Sequence, residues 1–178
     1  MSDAEFRKLC LANRNLRIER TGNGEVIIMP PVHSETGHRN FNLAVQLGNW
    51  ADQDGCGLGF DSSTGFTLPN GAIRSPDASW IKLERWNTLT EEQKASFAPI
   101  CPDFVIELRS ASDTLKDLQN KMQEYISNGA LLGWLIDRKN STVSIYRPNQ
   151  EPEILNAPET VSGDPELPGF ILRMGKIW

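Results

Sequence analysis

The sequence predicts one α/β domain built on a mixed central β-sheet flanked by helices. Three observations lead there. Helix-like and strand-like segments alternate along the chain rather than grouping into separate blocks. The stretches "PDFVIELRS" (102–110) and "LLGWLIDR" (131–138) are nearly continuous apolar runs, the kind buried on both faces of a sheet. Between them Leu115, Leu118, Met122, Tyr125 and Ile126 recur at helical steps, so a crossover helix joins two core strands. The 178 residues suit a single domain, 1–178, and no linker-like composition marks a second.

The elements follow in order. "SDAEFRKLCLANRN" starts with a cap-like Ser2 and reads as a short helix. "LRIERTGNGEVIIMP" alternates, turns at Gly22-Asn23-Gly24 and alternates again, which predicts a hairpin. From Ser34 to about Asp54 the period becomes helical, with Leu43, Leu47, Trp50 and Ala51 on one face. Short strands are expected near 57–61, 65–68 and 76–81, and "TEEQKASFAP" holds one or two helical turns. After the strand at 102–109, Ser112 is the expected cap of a helix from Asp113 to Asn128, stopped by Gly129. "TVSIYRP" pairs with "LLGWLIDR", and from about 148 the Pro- and Gly-rich remainder reads as a C-terminal extension with short edge strands.

Composition excludes several classes. No run approaches the ~20 apolar residues needed to span a bilayer, and the polar, acid-containing N-terminus "MSDAEFRKLC" is not a targeting segment, so the expected location is cytoplasmic with no membrane partner. Cys10, Cys56 and Cys101 are far apart, form no C-x-x-C pair and read as reduced thiols; with His33 and His38 they build no zinc motif. A net charge of −5 argues against a general nucleic-acid coat protein. It does not argue against a nuclease, because a cation bound to clustered carboxylates reverses the local sign.

Glu107 interrupts the apolar run 104–108, and an ionised carboxylate in a core is costly unless paired or metal-bound. Strand alternation puts Val105, Glu107 and Arg109 on one face, so the plain reading is a Glu107–Arg109 ion pair. The alternative needs a second acid, and Asp77 in "SPDASWI" begins another apolar stretch. If the two strands are neighbours, Asp77 and Glu107 converge, and a divalent cation between them relieves their repulsion. Asp103 also follows a proline, but it lies roughly 13 Å from Glu107 along one extended strand, too far to share a metal. Lys121, on the margin of the helix stripe, is the candidate cation; its plain alternative is a solvated helix-flank lysine. Arg74, Lys82, Arg85 and Lys116 are further basic candidates for substrate contacts.

Asp77 in "SPD", Glu107 in "PDFVIEL", the helix "DLQNKMQEY" before "NGALLGWLID" and "VSIYRP" together resemble the Uma-type endonuclease family of the PD-(D/E)XK nuclease superfamily. The resemblance extends over "SSTGFTLPNGAIRSPDASW" and the late "LPGF". It implies a restriction-endonuclease-like fold, a Mg²⁺ (or Mn²⁺) cofactor and DNA as partner. It implies metal binding by Asp77, Glu107 and the Leu108 backbone carbonyl. The superfamily places a lysine two residues after the second acid; here Arg109 stands there, and arginine does not give up its proton. The resemblance moves the lysine role to Lys121 and leaves Arg109 and Tyr125 as substrate-binding candidates. It also makes Glu35, at the start of the first long helix, a candidate assisting acid, against the plain reading of a favourable charge at a helix N-terminus. Cutting both strands of a duplex is simplest with two sites, which favours a homodimer. Two rival readings stand beside the endonuclease: a nucleic-acid-binding or regulatory module on the same fold without turnover, and a metal-independent hydrolase using two carboxylates as acid and base.

Overall fold

The computed structural model describes residues 1–178. Helix α1 (Asp3–Ala12) starts at Ser2, whose hydroxyl accepts from the Glu5 N–H while the Glu5 carboxylate accepts from the Ser2 N–H. Strands β1 (Arg17–Arg20) and β2 (Val26–Met29) form the predicted antiparallel hairpin, turned through Gly24 at a φ of 84°. Helix α2 (Ser34–Asp54) has the predicted bounds and stops at Gly55 in the left-handed region. Then come β3 (Gly57–Asp61), β4 (Phe66–Thr67), β5 (Ile73–Arg74) and β6 (Ala78–Lys82), followed by the single turns α3 (Leu83–Trp86) and α4 (Glu91–Lys94). Strand β7 (Phe104–Leu108), helix α5 (Leu115–Ser127) and strand β8 (Leu132–Asp137) make the crossover unit. Strands β9 (Thr142–Tyr146), β10 (Glu153–Asn156), β11 (Thr160–Ser162) and β12 (Ile171–Arg173) complete the chain, with a 3-10 turn at Met174–Lys176.

The main sheet has six strands in the order β10-β9-β8-β7-β6-β3, with β7 and β8 parallel and the other neighbours antiparallel. A second sheet, β2-β1-β5-β4, is antiparallel throughout. The mixed central sheet flanked by helices is thus as predicted. Strand alternation sends Phe104, Ile106 and Leu108 to the face covered by Leu43, Leu47 and Ala51 of α2, and Val105 to the face covered by Leu118, Met122 and Tyr125 of α5. Phe6, Ile18 and Ile73 pack α1 onto the small sheet. No helix is long and apolar enough to cross a membrane, and all three cysteines are free thiols.

Two local expectations need correction, and two short elements, β5 and α3, have no counterpart in the sequence reading. Thr114, not Ser112, caps α5, its hydroxyl accepting from the Asp117 N–H at 3.1 Å. The Asp113 carboxylate accepts from the Ser110 N–H at 2.8 Å, which holds 110–113 as a loop and delays the helix. Two-residue β5 and one-turn α3 are too short to leave a periodic signal. The segment after 148 is also more than an extension: Val161, Leu167, Phe170, Leu172, Met174 and Ile177 are buried in the α2-side core. The Phe170 ring stacks on Trp134 at 5.6 Å between centroids and meets Phe104 edge-on. Phe170→Ala is therefore expected to cost about 3–5 kcal/mol of folding stability in urea denaturation, as for a large aromatic removed from a core; a loss below about 1 kcal/mol would return this segment to the surface.

Candidate active site

The chain passes from the small sheet to the main sheet at Ser75-Pro76-Asp77, between β5 and β6. Pro76 biases Ser75 toward extended backbone, which suits a strand-to-strand passage. The β6–β7 register ends at Ala78 opposite Ile106, so the next residues on the two strands are Asp77 and Glu107. The Asp77 N–H donates to the Ile106 carbonyl at 3.0 Å, and the Leu108 N–H donates back to Asp77 Oδ2 at 2.8 Å. Both acids therefore sit where interior strands end, not along an outer strand of the sheet.

Glu107 is 3% exposed, and what neutralises it comes from α5. The Lys121 ammonium lies 2.8 Å from Glu107 Oε1, and the Tyr125 hydroxyl donates to the same oxygen at 2.9 Å. Lys121 and Tyr125 are one helical turn apart, so a single face of α5 supplies both donors. Lys121 also donates to Glu19 Oε1 at 3.0 Å. Glu19, on β1, is buried and accepts in addition from the Ser75 N–H at 3.0 Å and from Arg74 at 3.2 Å. Arg17, two residues earlier on β1, donates to Asp77 Oδ1 at 3.3 Å and to the Ser75 carbonyl. Asn40 of α2 donates to Asp77 Oδ1 at 3.2 Å. Three carboxylates, Glu19, Asp77 and Glu107, thus face three cations, Arg17, Arg74 and Lys121.

Burial pushes the Glu107 carboxyl up to about 7; Lys121 opposes the rise, and the Asp77 and Glu19 charges add to it. Burial works against the Lys121 charge, but Glu107 and Glu19 outweigh it and hold the ammonium above its ordinary value. Burial and the same two carboxylates push the Tyr125 phenol well above its ordinary value. Glu19 is held below the usual carboxylate value, since Lys121, Arg74 and the Ser75 N–H overcome its burial.

Asp77, Glu107, Leu108 and Lys121 line a cleft of about 490 Å³, walled by Arg17, Pro31 and His33 on one side and by Ser110 to Asp113 on another. A larger cavity of about 690 Å³ lies between the β1–β2 hairpin and α5, and it reaches Glu19 and Lys121 but neither of the paired acids. The donor set fits a hard divalent cation. Both contacts to Glu107 use Oε1, leaving Oε2 free of protein partners. Asp77 accepts three hydrogen bonds, one fewer than the roughly four a carboxylate can take. No three acidic, histidine or cysteine side chains form a closed cage, so two carboxylates with water would complete the shell, the usual arrangement for Mg²⁺.

The sequence-derived candidates divide cleanly. Asp77, Glu107, Leu108, Lys121 and Tyr125 come together. Glu35 does not join them: its side chain is 78% exposed and pairs with Arg39 at 3.2 Å, while Thr36 and Asn40 occupy the helix face toward the site. Arg109 neither pairs with Glu107 nor lines the cleft; Asp137 at the end of β8 captures its guanidinium at 2.9 Å. Arg74 and Arg85 are likewise committed, to Glu19 and Glu124 and to Asp103. Sequence reasoning missed Glu19, Arg17 and Asn40.

Two buried acids thus stand at the ends of adjacent central strands, and Lys121 reaches Glu107 from α5. The model of the Uma2 family, described as "Putative restriction endonuclease", matches residues 3–175, and the chain belongs to that family. Among solved structures, the chain is similar to "a putative nuclease belonging to DUF820 from Anabaena variabilis", with a TM-score of 0.77 and 21% identity over 90% of this chain and 88% of that one. No curated protein matches the chain.

The Glu107 geometry has a consequence for stability. A folded-state pKa near 7, above the ordinary 4.5, means that this carboxyl contributes fully below pH 4.5 and loses that contribution as pH rises through 7. Glu107→Gln does not titrate. In EDTA, the stability of Glu107→Gln relative to the parent is expected to rise between pH 4.5 and 7 and to be equal or greater above it, as read by urea denaturation. A relative stability of Glu107→Gln that instead falls as pH rises through the ordinary carboxyl value would show a lowered folded-state pKa and a structural ion pair.

Proposed function

We propose that the protein is a Mg²⁺- or Mn²⁺-dependent endonuclease that hydrolyses phosphodiester bonds in DNA. The observation that carries this reading is Lys121, buried and charged between Glu107 and Glu19 beside Asp77, at the wall of an open cleft. The family description supports nucleic-acid hydrolysis, and its restriction-endonuclease character favours DNA. Asp77 and Glu107 would hold the metal, with the Leu108 carbonyl as a further oxygen. Once bound, a divalent metal polarises the phosphate and lowers the pKa of an attacking water.

The chain's own groups supply the rest. Lys121 keeps its proton, since Glu107 and Glu19 favour the charged form. It therefore acts as a hydrogen-bond donor that orients the water and stabilises charge gathering on the phosphate, not as a base. Tyr125 holds Glu107 Oε1, which leaves Oε2 without a protein partner. Glu19 accepts a second hydrogen bond from Lys121 and so helps to fix the ammonium. A homodimer would place two such clefts on one duplex.

One observation favours the rival reading of a binding or regulatory module without turnover: Arg17, Arg74 and Lys121 already balance the three carboxylates. Plasmid nicking with Mg²⁺ or Mn²⁺ separates the two. At equal folded concentration Lys121→Met is expected to lose 10²-fold or more of the cutting rate, the usual effect of removing a preorganised donor. Arg109→Met is expected to cut like the parent while losing stability, since it leaves the buried Asp137 without its cation. A parent that cuts no nucleic acid with either metal would establish the module reading. A dead Arg109→Met beside an active Lys121→Met would return the catalytic charge to position 109.

A further inference from the structure

We propose that Arg17 is an internal counter-ion of the metal site: it occupies Asp77 in the free protein and is drawn off by a substrate phosphate, so that metal and nucleic acid reinforce each other's binding. The proposal rests on the metal-dependent reading above.

The argument starts from the three donors on Asp77. Leu108 donates from the backbone of a core strand and cannot leave without breaking β7. Asn40 is buried on a 21-residue helix. Of the three, Arg17, which also donates to the Ser75 carbonyl, has the greatest solvent access. Its side chain is 24% exposed, it stands at the first position of β1, and it lines the same cleft as Asp77 and Glu107. Its bond to Asp77 is also the longest of the three, at 3.3 Å. Its Nε is buried without a partner, so the guanidinium is not held as a full fork in this position. Asp77 is thus gripped by a permanent charge that is itself incompletely satisfied.

Two consequences follow. A guanidinium on a metal-binding oxygen repels a divalent cation and takes up a lone pair that the cation would use. A planar guanidinium that lines the cleft can exchange Asp77 for the paired oxygens of a phosphate. Phosphate binding therefore relieves the repulsion that weakens metal binding. By linkage, bound metal strengthens phosphate binding by the same factor.

The test measures Mn²⁺ affinity by calorimetry on the full chain without nucleic acid, and affinity for a labelled DNA duplex by fluorescence anisotropy in EDTA. Arg17→Met is expected to bind Mn²⁺ at least about fivefold tighter than the parent, the lower end of typical couplings, and to bind DNA more weakly. Arg17→Lys, which keeps the charge, should stay near the parent for Mn²⁺. Arg17→Gln, which keeps a donor for the Ser75 carbonyl, gives the same reading should the Met variant not fold. Mn²⁺ binding by both neutral variants that is equal to or weaker than the parent's would overturn the counter-ion role and leave the metal site standing. Unchanged DNA affinity in them would overturn the phosphate capture. Absence of Mn²⁺ binding in the parent and all variants would overturn the metal reading itself, and this proposal with it.

Discussion

A carboxylate buried at the end of a central strand sets the terms for much of this structure. Glu107 loses its water when β7 is covered, and the desolvation of one ion costs several kcal/mol unless other groups replace the lost hydration. No neighbour on β7 can do that, because the flanking side chains on its face are Val105 and an Arg109 turned to Asp137. The replacement has to come from the crossover helix. Lys121 and Tyr125 supply it from one face of α5, while Leu118, Met122 and Tyr125 bury the same face in the core. Helix position and charge compensation are therefore one requirement.

Asp77 shows a second aspect of that constraint. It lies where the chain leaves the small sheet, and its oxygens are held by a backbone amide of β7, a side chain of α2 and a side chain of β1. The main sheet, α2 and the small sheet each contribute one donor. The site is therefore built at the seam between two separately hydrogen-bonded sheets, and docking one onto the other creates it. Neither sheet alone holds a complete set of charges.

Much of this was legible along the chain. α2 and α5 announce themselves by period and β7 and β8 by continuous apolar runs, and Asp77 and Glu107 stand out because each is an acid beside an apolar strand. Glu19 does not stand out. In "LRIERT" an acid alternates with apolar residues, the pattern of an exposed strand face, and only the packing of the hairpin against α5 buries it. Arg109 sits where the superfamily lysine is expected, yet a partner 28 residues on takes it away. Glu35 illustrates a signal that could have been used. Counting back from Leu43 at about 100° per residue, Thr36 falls about 20° from the buried line and Glu35 about 80° from it. The same stripe points to Asn40, a polar residue on the covered side of a helix. The C-terminal segment misled for a compositional reason: its prolines and glycines suggested periphery, while Leu167, Phe170 and Leu172 fill the core.

The β1–β2 hairpin carries Glu19 and Arg17 two residues apart, so both project from the same side of one strand. Ile18 and Arg20 project from the other, where Ile18 joins Phe6 and Ile73. Pairing is set by a short turn, with the Thr21 N–H bonded to the Glu25 carbonyl and the Gly24 N–H to the Thr21 carbonyl. A slip of one residue would present an isoleucine to the ammonium of Lys121 and drive a carboxylate into the packing beneath α1. The length of residues 21–25 is therefore as much a chemical parameter of the cleft as any side chain in it. Variation in this loop is bound by the count of residues as well as by the left-handed backbone at Gly24.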